Sequence, residues 1–397
     1  MKTAPATFIL TTSLILAAAG NAQAQQRAPG LAPIPNSAEG GLWASSERAE
    51  RAARSSAELN PDQALNDYVR EVTCRVASDY CSELRVYVMD RPAFNASAAP
   101  NGYIEVWSGL ILRASSEAEL AFVIGHEIGH YAENHSLERW NTTKGWMTAA
   151  MVVTAGAGIV GAYYQVDLTS VGDLAYLTAL SSVFSYGRGQ ETQSDQLGFE
   201  RIVTAGYDAN APVQIWRSQQ AEAKASSFRS VRQADAAGSV FRTHPLTENR
   251  IAALAALAAS HPDGGRTEGE RYRAVIRPHL SAWLADEMNK RDFNGLLYLI
   301  DRLDDVGDLG VLNFYRGEVY RQRREESDAI AARDAYTASS GFPDAPVAVW
   351  RELGDMQVRL GDAASARLSY ERYLELAIAA DDRWIVEDSL NTLDDPS

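Results

Sequence analysis

The sequence predicts an α+β fold that is mainly α, in two parts: a domain in which a small β-sheet leads into a long helix, then a C-terminal domain of paired helices. Three observations carry that reading. Residues 84–107 contain two runs of alternating polar and apolar side chains, and residues 116–131 combine an S-x-x-E start with apolar residues at helical spacing. Residues 314–370 repeat a helix-pair pattern at a period of about 34 to 37.

The chain has 397 residues, 46% of them hydrophobic, enough for two or three domains with real cores. A net charge of −15 disfavours nucleic acid and anionic lipid headgroups as the main partner. Residues 1–24 read as a secretory signal peptide: Lys2, an apolar run from Phe8 to Ala19, then Ala22-Gln23-Ala24 as a cleavage site before Gln25. The run is short of the ~20 residues a membrane span requires. The mature chain is therefore expected in an oxidising compartment, with peripheral membrane association as an alternative.

Residues 25–60, rich in Ala, Pro, Gly, Ser and charge, read as a flexible leader, and residues 61–265 as the first folded domain. A helical pattern spans 61–76. Cys74 and Cys81 lie too far apart on one continuous helix for a disulfide, so a bridge requires the helix to break between them, as Asp79-Tyr80 allows. Leu84–Val88 and Tyr103–Trp107 alternate like strands, with Asn101-Gly102 as a turn before the second. Ser116 and Glu119 then open a helix whose apolar flank is Leu120, Val123, Ile124, Ile128 and Tyr131. Gly125 and Gly129, four apart, leave a smooth strip where another element can approach.

Residues 146–164 are uncharged, and a second apolar stretch runs to about Tyr186; the pair reads as a buried or membrane-facing helical hairpin, with a true span as the alternative. Residues 266–397 carry the helical repeats: Phe314–Gly317 with Ala331–Tyr336, and Trp350–Gly354 with Ser365–Tyr370, similar to tetratricopeptide repeats, with residues 292–309 as a degenerate extra helix pair. Two full repeats are too few for a free solenoid, so they are expected to pack on the first domain.

The chemistry centres on His126-Glu127-Ile128-Gly129-His130. Histidines at i and i+4 share one helix face and can grip one metal ion, and Glu127 projects beside it as a general base for water. Such a site needs a third protein ligand and keeps a fourth position open. Glu191 and Asp195, also four apart, suit it: Glu191 as the ligand, and Asp195 as acceptor of the free N–H of a ligand histidine, His126.

These residues, with Thr243-His244-Pro245 and Arg250, resemble metallopeptidase family 48, of the gluzincin group. Asn95-Ala96, Gly102–Ile104, Ser108–Leu110 and Glu117–Leu120 are similar to that family's lead-in to the metal helix, and the likeness covers residues 61–255. With the signal peptide and repeats, the architecture is closest to the family's BepA-like periplasmic proteases. The resemblance implies a gluzincin domain with one Zn2+ per chain, held by His126, His130 and Glu191, with Glu127 as catalytic base and Asp195 in support. It gives His244 either an oxyanion-stabilising role or the open coordination position, against the plain alternative of a helix-entry residue. Arg250 either orients its segment, binds a substrate carbonyl or is a surface arginine, and His135 falls outside the ligand set as a packed or exposed residue at the helix end.

The expected function is a zinc endopeptidase acting on misfolded or stalled envelope proteins, its repeats docking clients or outer-membrane assembly machinery. A chaperone or adaptor with latent peptidase activity and a membrane-embedded protease are the rivals.

Overall fold

The computed structural model describes residues 27–141, 186–233, 244, 246–262, 264–304 and 307–394. The expected signal peptide, the expected helical hairpin up to residue 185, and Thr243 and Pro245 lie outside the described residues. Among these residues no helix is long and apolar enough to cross a membrane.

Helix α1 (Ala38–Arg54) occupies most of the segment expected to be a flexible leader. That expectation is corrected: Ala49 and Ala53 are fully buried, and Glu50 binds Arg85 through two bonds of 2.6 and 2.7 Å. The segment lacks a stripe of large apolar side chains, so its packing rests on small alanines, Leu42 and the ion pairs of Glu50 and Glu39. Ahead of it, Arg27 is also buried; its backbone N–H donates to Ala132 O at 2.7 Å.

Helix α2 (Gln63–Val76) starts at Asp62, whose carboxylate accepts from the N–H of Ala64 and Leu65. Leu65, Val69, Val72 and Val76 form its buried stripe. The helix ends at Val76, earlier than Asp79, and the chain folds back so that Cys74 and Cys81 come within 4.9 Å at Cα and are bridged. The turn inside this loop also holds its neighbours: Arg201 pairs with Asp79 at 2.8 Å, and Tyr80 donates to Arg27 O at 2.7 Å.

Strands β1 (Arg85–Met89), β2 (Ala96–Ala98) and β3 (Tyr103–Trp107) form a sheet in the order β1-β3-β2. β1 runs parallel to β3, while the three-residue β2, not legible as a strand, runs antiparallel along the other side. Helix α3 (Ser108–Arg113) follows, then α4 (Glu117–Ala132), every residue of which is buried. Ser116 caps α4 as expected, accepting from Glu119 N–H; the Glu119 carboxylate reaches back to the N–H of Ser115, one residue before the cap.

Helix α5 (Arg188–Thr204) lies against the glycine strip of α4. A β-carbon on Gly198 would stand 2.8 Å from the His126 nitrogen, and one on Gly129 would stand 3.0 Å from Ser194 Cα, so the two backbones touch. Helices α6 (Ala211–Ala225), α7 (Arg229–Gln233) and α8 (Glu248–Ala259) complete the first part.

Helices α9 (Gly269–Ile276), α10 (Leu280–Asn289) and α11 (Phe293–Asp304) lead into α12 (Leu309–Arg323), α13 (Asp328–Ser340), α14 (Val349–Arg359), α15 (Ala363–Leu376) and α16 (Arg383–Asp394). The expected extra pair at 292–309 is corrected to one helix, α11. In α12–α13 the Tyr336 ring lies where a β-carbon on Gly317 would be, and in α14–α15 Tyr370 has the same relation to Gly354. The repeated motif thus places an aromatic ring on a glycine. No gap in packing marks residue 265: one apolar core runs from Leu65 through Tyr272, Trp283 and Leu299 to Met356.

Replacing both cysteines with serine should lower stability by about 2.5 kcal/mol, the loop-closure entropy of so short a loop. Urea unfolding of the oxidised wild type and the double variant checks this; equal midpoints would show that the bridge does not hold the loop.

Candidate metal centre

The site is built on the α4–α5 contact. His126 and His130, one turn apart on α4, bring their Nε2 atoms within 3.1 Å of each other. Glu191, in the first turn of α5, places Oε2 3.6 Å from His126 Nε2 and Oε1 3.5 Å from His130 Nε2. A tetrahedral ion with bonds of about 2.0–2.1 Å needs ligand atoms roughly 3.3 Å apart, so these three form one face of such a site.

His244 supplies the fourth corner. Its Nδ1 lies 3.3 Å from His126 Nε2 and 3.0 Å from Glu191 Oε1. The four residues are all buried, and their ligating atoms lie within 4.8 Å of one another. The donor set of three imidazoles and a carboxylate fits a divalent metal ion. Of the roles open to His244, the geometry matches occupation of the open coordination position. Its other nitrogen is 3.6 Å from Glu127 Oε1, so the ring stands between the metal corner and the expected base.

Glu127 projects from α4, which packs against β2 of the sheet. Burial pushes its pKa up, and the nearby His244 and His126 rings only partly oppose that. Burial acts the same way on Asp195, yet the Arg250 guanidinium and His126 hold its carboxyl below the usual range. Burial would raise Glu191 too; the imidazoles around it, His244 foremost, keep it ionised.

The residues in support are equally ordered. Asp195 Oδ1 lies 3.0 Å from His126 Nδ1, the contact expected of it, leaving Nε2 to face the site. Arg250, in the first turn of α8, donates to both Asp195 oxygens at 2.6 and 2.7 Å and lies 2.6 Å from Glu191 Oε2. It is buried, which removes the surface reading, and its guanidinium is engaged by two carboxylates rather than turned to a substrate carbonyl. Thus it orients Glu191 and Asp195. Trp216 walls the site, edge-on to His126 and beneath Arg250.

Two further residues touch His130, and the sequence announced neither contact. Tyr186 stacks on its ring with centroids 3.8 Å apart, and His135 is packed, not exposed, with Nδ1 2.9 Å from His130 Nδ1. A five-residue separation does not share a face on one continuous helix. The signal was Asn134, whose left-handed backbone (φ 53°) breaks the helix and brings His135 back alongside.

Two histidines one turn apart, a glutamate between them and a carboxylate ligand from a second helix define a metallopeptidase of the HExxH class. The profile of Peptidase family M48 matches residues 60–258, half of the chain, and the chain belongs to that family. The putative beta-barrel assembly-enhancing protease of Vibrio cholerae is 27% identical over 228 residues, 56% of this chain and 43% of that one. The mitochondrial metalloendopeptidase OMA1 of Arabidopsis thaliana is 29% identical over 170 residues, 43% of this chain and 30% of that one. Metalloprotease YcaL of Escherichia coli is 27% identical over 158 residues, covering 39% and 55% respectively. In each case the match spans less than two thirds of the relative's length.

Asp195→Asn keeps the size of the side chain but weakens the acceptor for His126. A 10- to 100-fold loss of zinc affinity is expected, roughly the usual cost of such a partner. Competition with a chromophoric chelator measures it, and unchanged affinity would remove Asp195 from the site.

Proposed function

We propose that the protein is a periplasmic zinc endopeptidase that cuts extended segments of misfolded or stalled envelope proteins. The observation that carries the reading is the tetrahedral spacing of His126, His130 and Glu191 beside the buried carboxylate of Glu127. Zinc in that position supplies Lewis acidity for activating water and polarising a peptide carbonyl. Glu127 accepts the proton of the attacking water and returns it to the leaving amine; its burial favours the protonated form that this return requires.

β2 supports the substrate class. Among the described residues it is an edge strand of the sheet, and it packs against α4, the helix that carries Glu127. An extended peptide adding to that edge would pass the base with its main chain aligned, which favours unfolded segments over one sequence.

The bridged cysteines support an oxidising compartment for a chain with a signal-peptide-like start. The glycine–tyrosine hairpins support a tetratricopeptide-like array over residues 266–397, next to a peptidase domain at 61–265, and the array is our candidate for docking clients or outer-membrane assembly machinery. The assembly-enhancing protease of Vibrio cholerae is a relative in keeping with that role. The rival reading, an adaptor with latent peptidase activity, draws its support from His244 at the fourth corner.

Glu127→Gln should abolish cleavage of an unfolded protein such as casein while zinc content stays at one per chain, as read by mass spectrometry of the products and metal analysis. Loss of zinc as well would mean that the variant tests folding, whereas retained cleavage would sink the assignment of the base. His244→Ala opens the fourth corner, and faster basal cleavage is expected. A fall in kcat at unchanged KM would place His244 in the transition state instead.

A further inference from the structure

The two ligand histidines of α4 are supported differently. His126 Nδ1 faces a carboxylate, Asp195, whereas His130 Nδ1 faces a second imidazole, that of His135, 2.9 Å away and buried. Two imidazoles leave the direction of that hydrogen bond undecided, since either nitrogen can be the donor. The rest of the chain of contacts decides it.

Glu133 accepts from Gln193 Nε2 at 2.7 Å. A carboxylate only accepts, so the NH2 end of the Gln193 amide must face Glu133 and its carbonyl oxygen must face His135. Gln193 Oε1 lies 3.3 Å from His135 Nε2, which therefore carries the proton. A neutral ring with hydrogen on Nε2 has a lone pair on Nδ1. His135 Nδ1 is then an acceptor, His130 Nδ1–H is the donor, and His130 Nε2 is left with the lone pair that faces His126 and Glu191. Ser194 Oγ, 3.4 Å from the same His135 nitrogen, is a second donor consistent with this direction.

We propose that His135 is a positioning residue for the metal site: it accepts the Nδ1 proton of His130 and holds that ring in the tautomer whose Nε2 can bind the ion, with Gln193 and Glu133 setting the direction. With the direction reversed, His130 would carry its proton on Nε2, inside the site. The inference rests on the metal-site reading, and the experiment below separates the two. The device is economical in charge: it fixes a ligand tautomer with a neutral group where Asp195 does so with a buried anion that Arg250 must balance.

The test compares His135→Leu, which removes the acceptor, with His135→Asn, whose amide oxygen can stand near the place of Nδ1. Zinc affinity by chelator competition should fall 10- to 100-fold in the leucine variant, and most of it should return in the asparagine variant. Thermal melts of the metal-free proteins show whether both fold. In metal-free wild type, long-range 1H–15N correlation spectra should show His130 as the Nδ1–H tautomer, with Nε2–H gaining population in His135→Leu and, to a lesser degree, in Glu133→Lys. Unchanged zinc affinity in His135→Leu overturns the proposal. So does an asparagine variant that folds but binds as weakly as the leucine one, which would make His135 a packing residue only. Wild type that binds no zinc defeats the metal-site reading itself; the tautomer spectrum still decides the role of His135, because Nε2–H on His130 in wild type would overturn it.

Discussion

The α4–α5 contact, in which Gly125 and Gly129 of one helix meet Gly198 and Ser194 of the other, is the constraint on which the rest of the site depends. Glu191 reaches the two histidines because Gly125, Gly129 and Gly198 put no β-carbon of their own between the helix backbones there. An alanine at Gly198 would have to displace the backbone of His126 itself, which has no flexible end to give way. Metal–ligand distances hold to within about 0.2 Å, so pushing the helices apart there would weaken the grip of Glu191 and the two histidines on an ion. The contact therefore acts on function before it acts on stability.

Charge follows from that geometry. Bringing α5 against α4 buries Glu127, Glu191 and Asp195 close together, and Arg250 from α8 is the cation paired with Glu191 and Asp195. With Glu191 and Asp195 held ionised and burial favouring the neutral form of Glu127, two anions face one guanidinium, an excess of one negative charge that a bound cation would offset. Leaving buried anions unbalanced costs several kcal/mol each. Hence the site's affinity for a divalent ion comes from electrostatics as well as from ligand geometry, and Arg250 sets how much negative charge the ion meets.

Much of this was legible because the features are local. HEIGH, the Ser116 start, the two alternating strands and the spacing of Glu191 to Asp195 each follow from helix or strand periodicity over a few residues. The glycine strip also announced a close approach, although its partner Gly198 did not. What escaped depends on tertiary context. α1 buries alanines and an ion pair, which composition reads as an exposed leader; β2 is three residues long; and His135 comes into place only through the backbone reversal at Asn134. Arg250 shows the same limit, since the sequence gives an arginine on a helix but not the two carboxylates that make it a buried one.

The C-terminal helices bear on the metal helix more directly than a tethered docking module would. Arg271 of α9 reaches Glu117, Arg302 of α11 reaches Glu119, and Glu287 of α10 pairs with Arg113 just before α4. These contacts converge on the start of the helix that carries His126, and they are buried at the carboxylate end, where geometry rather than net stability is what an ion pair specifies. The shared apolar core makes the same connection. Force applied to α9–α11 is thus borne by α4 without an intervening linker. A partner seated on the hairpins beyond Leu309 would act on the peptidase site through packed helices, so its influence would depend on shifting α11 relative to α4, where Arg302 and Glu119 are in contact.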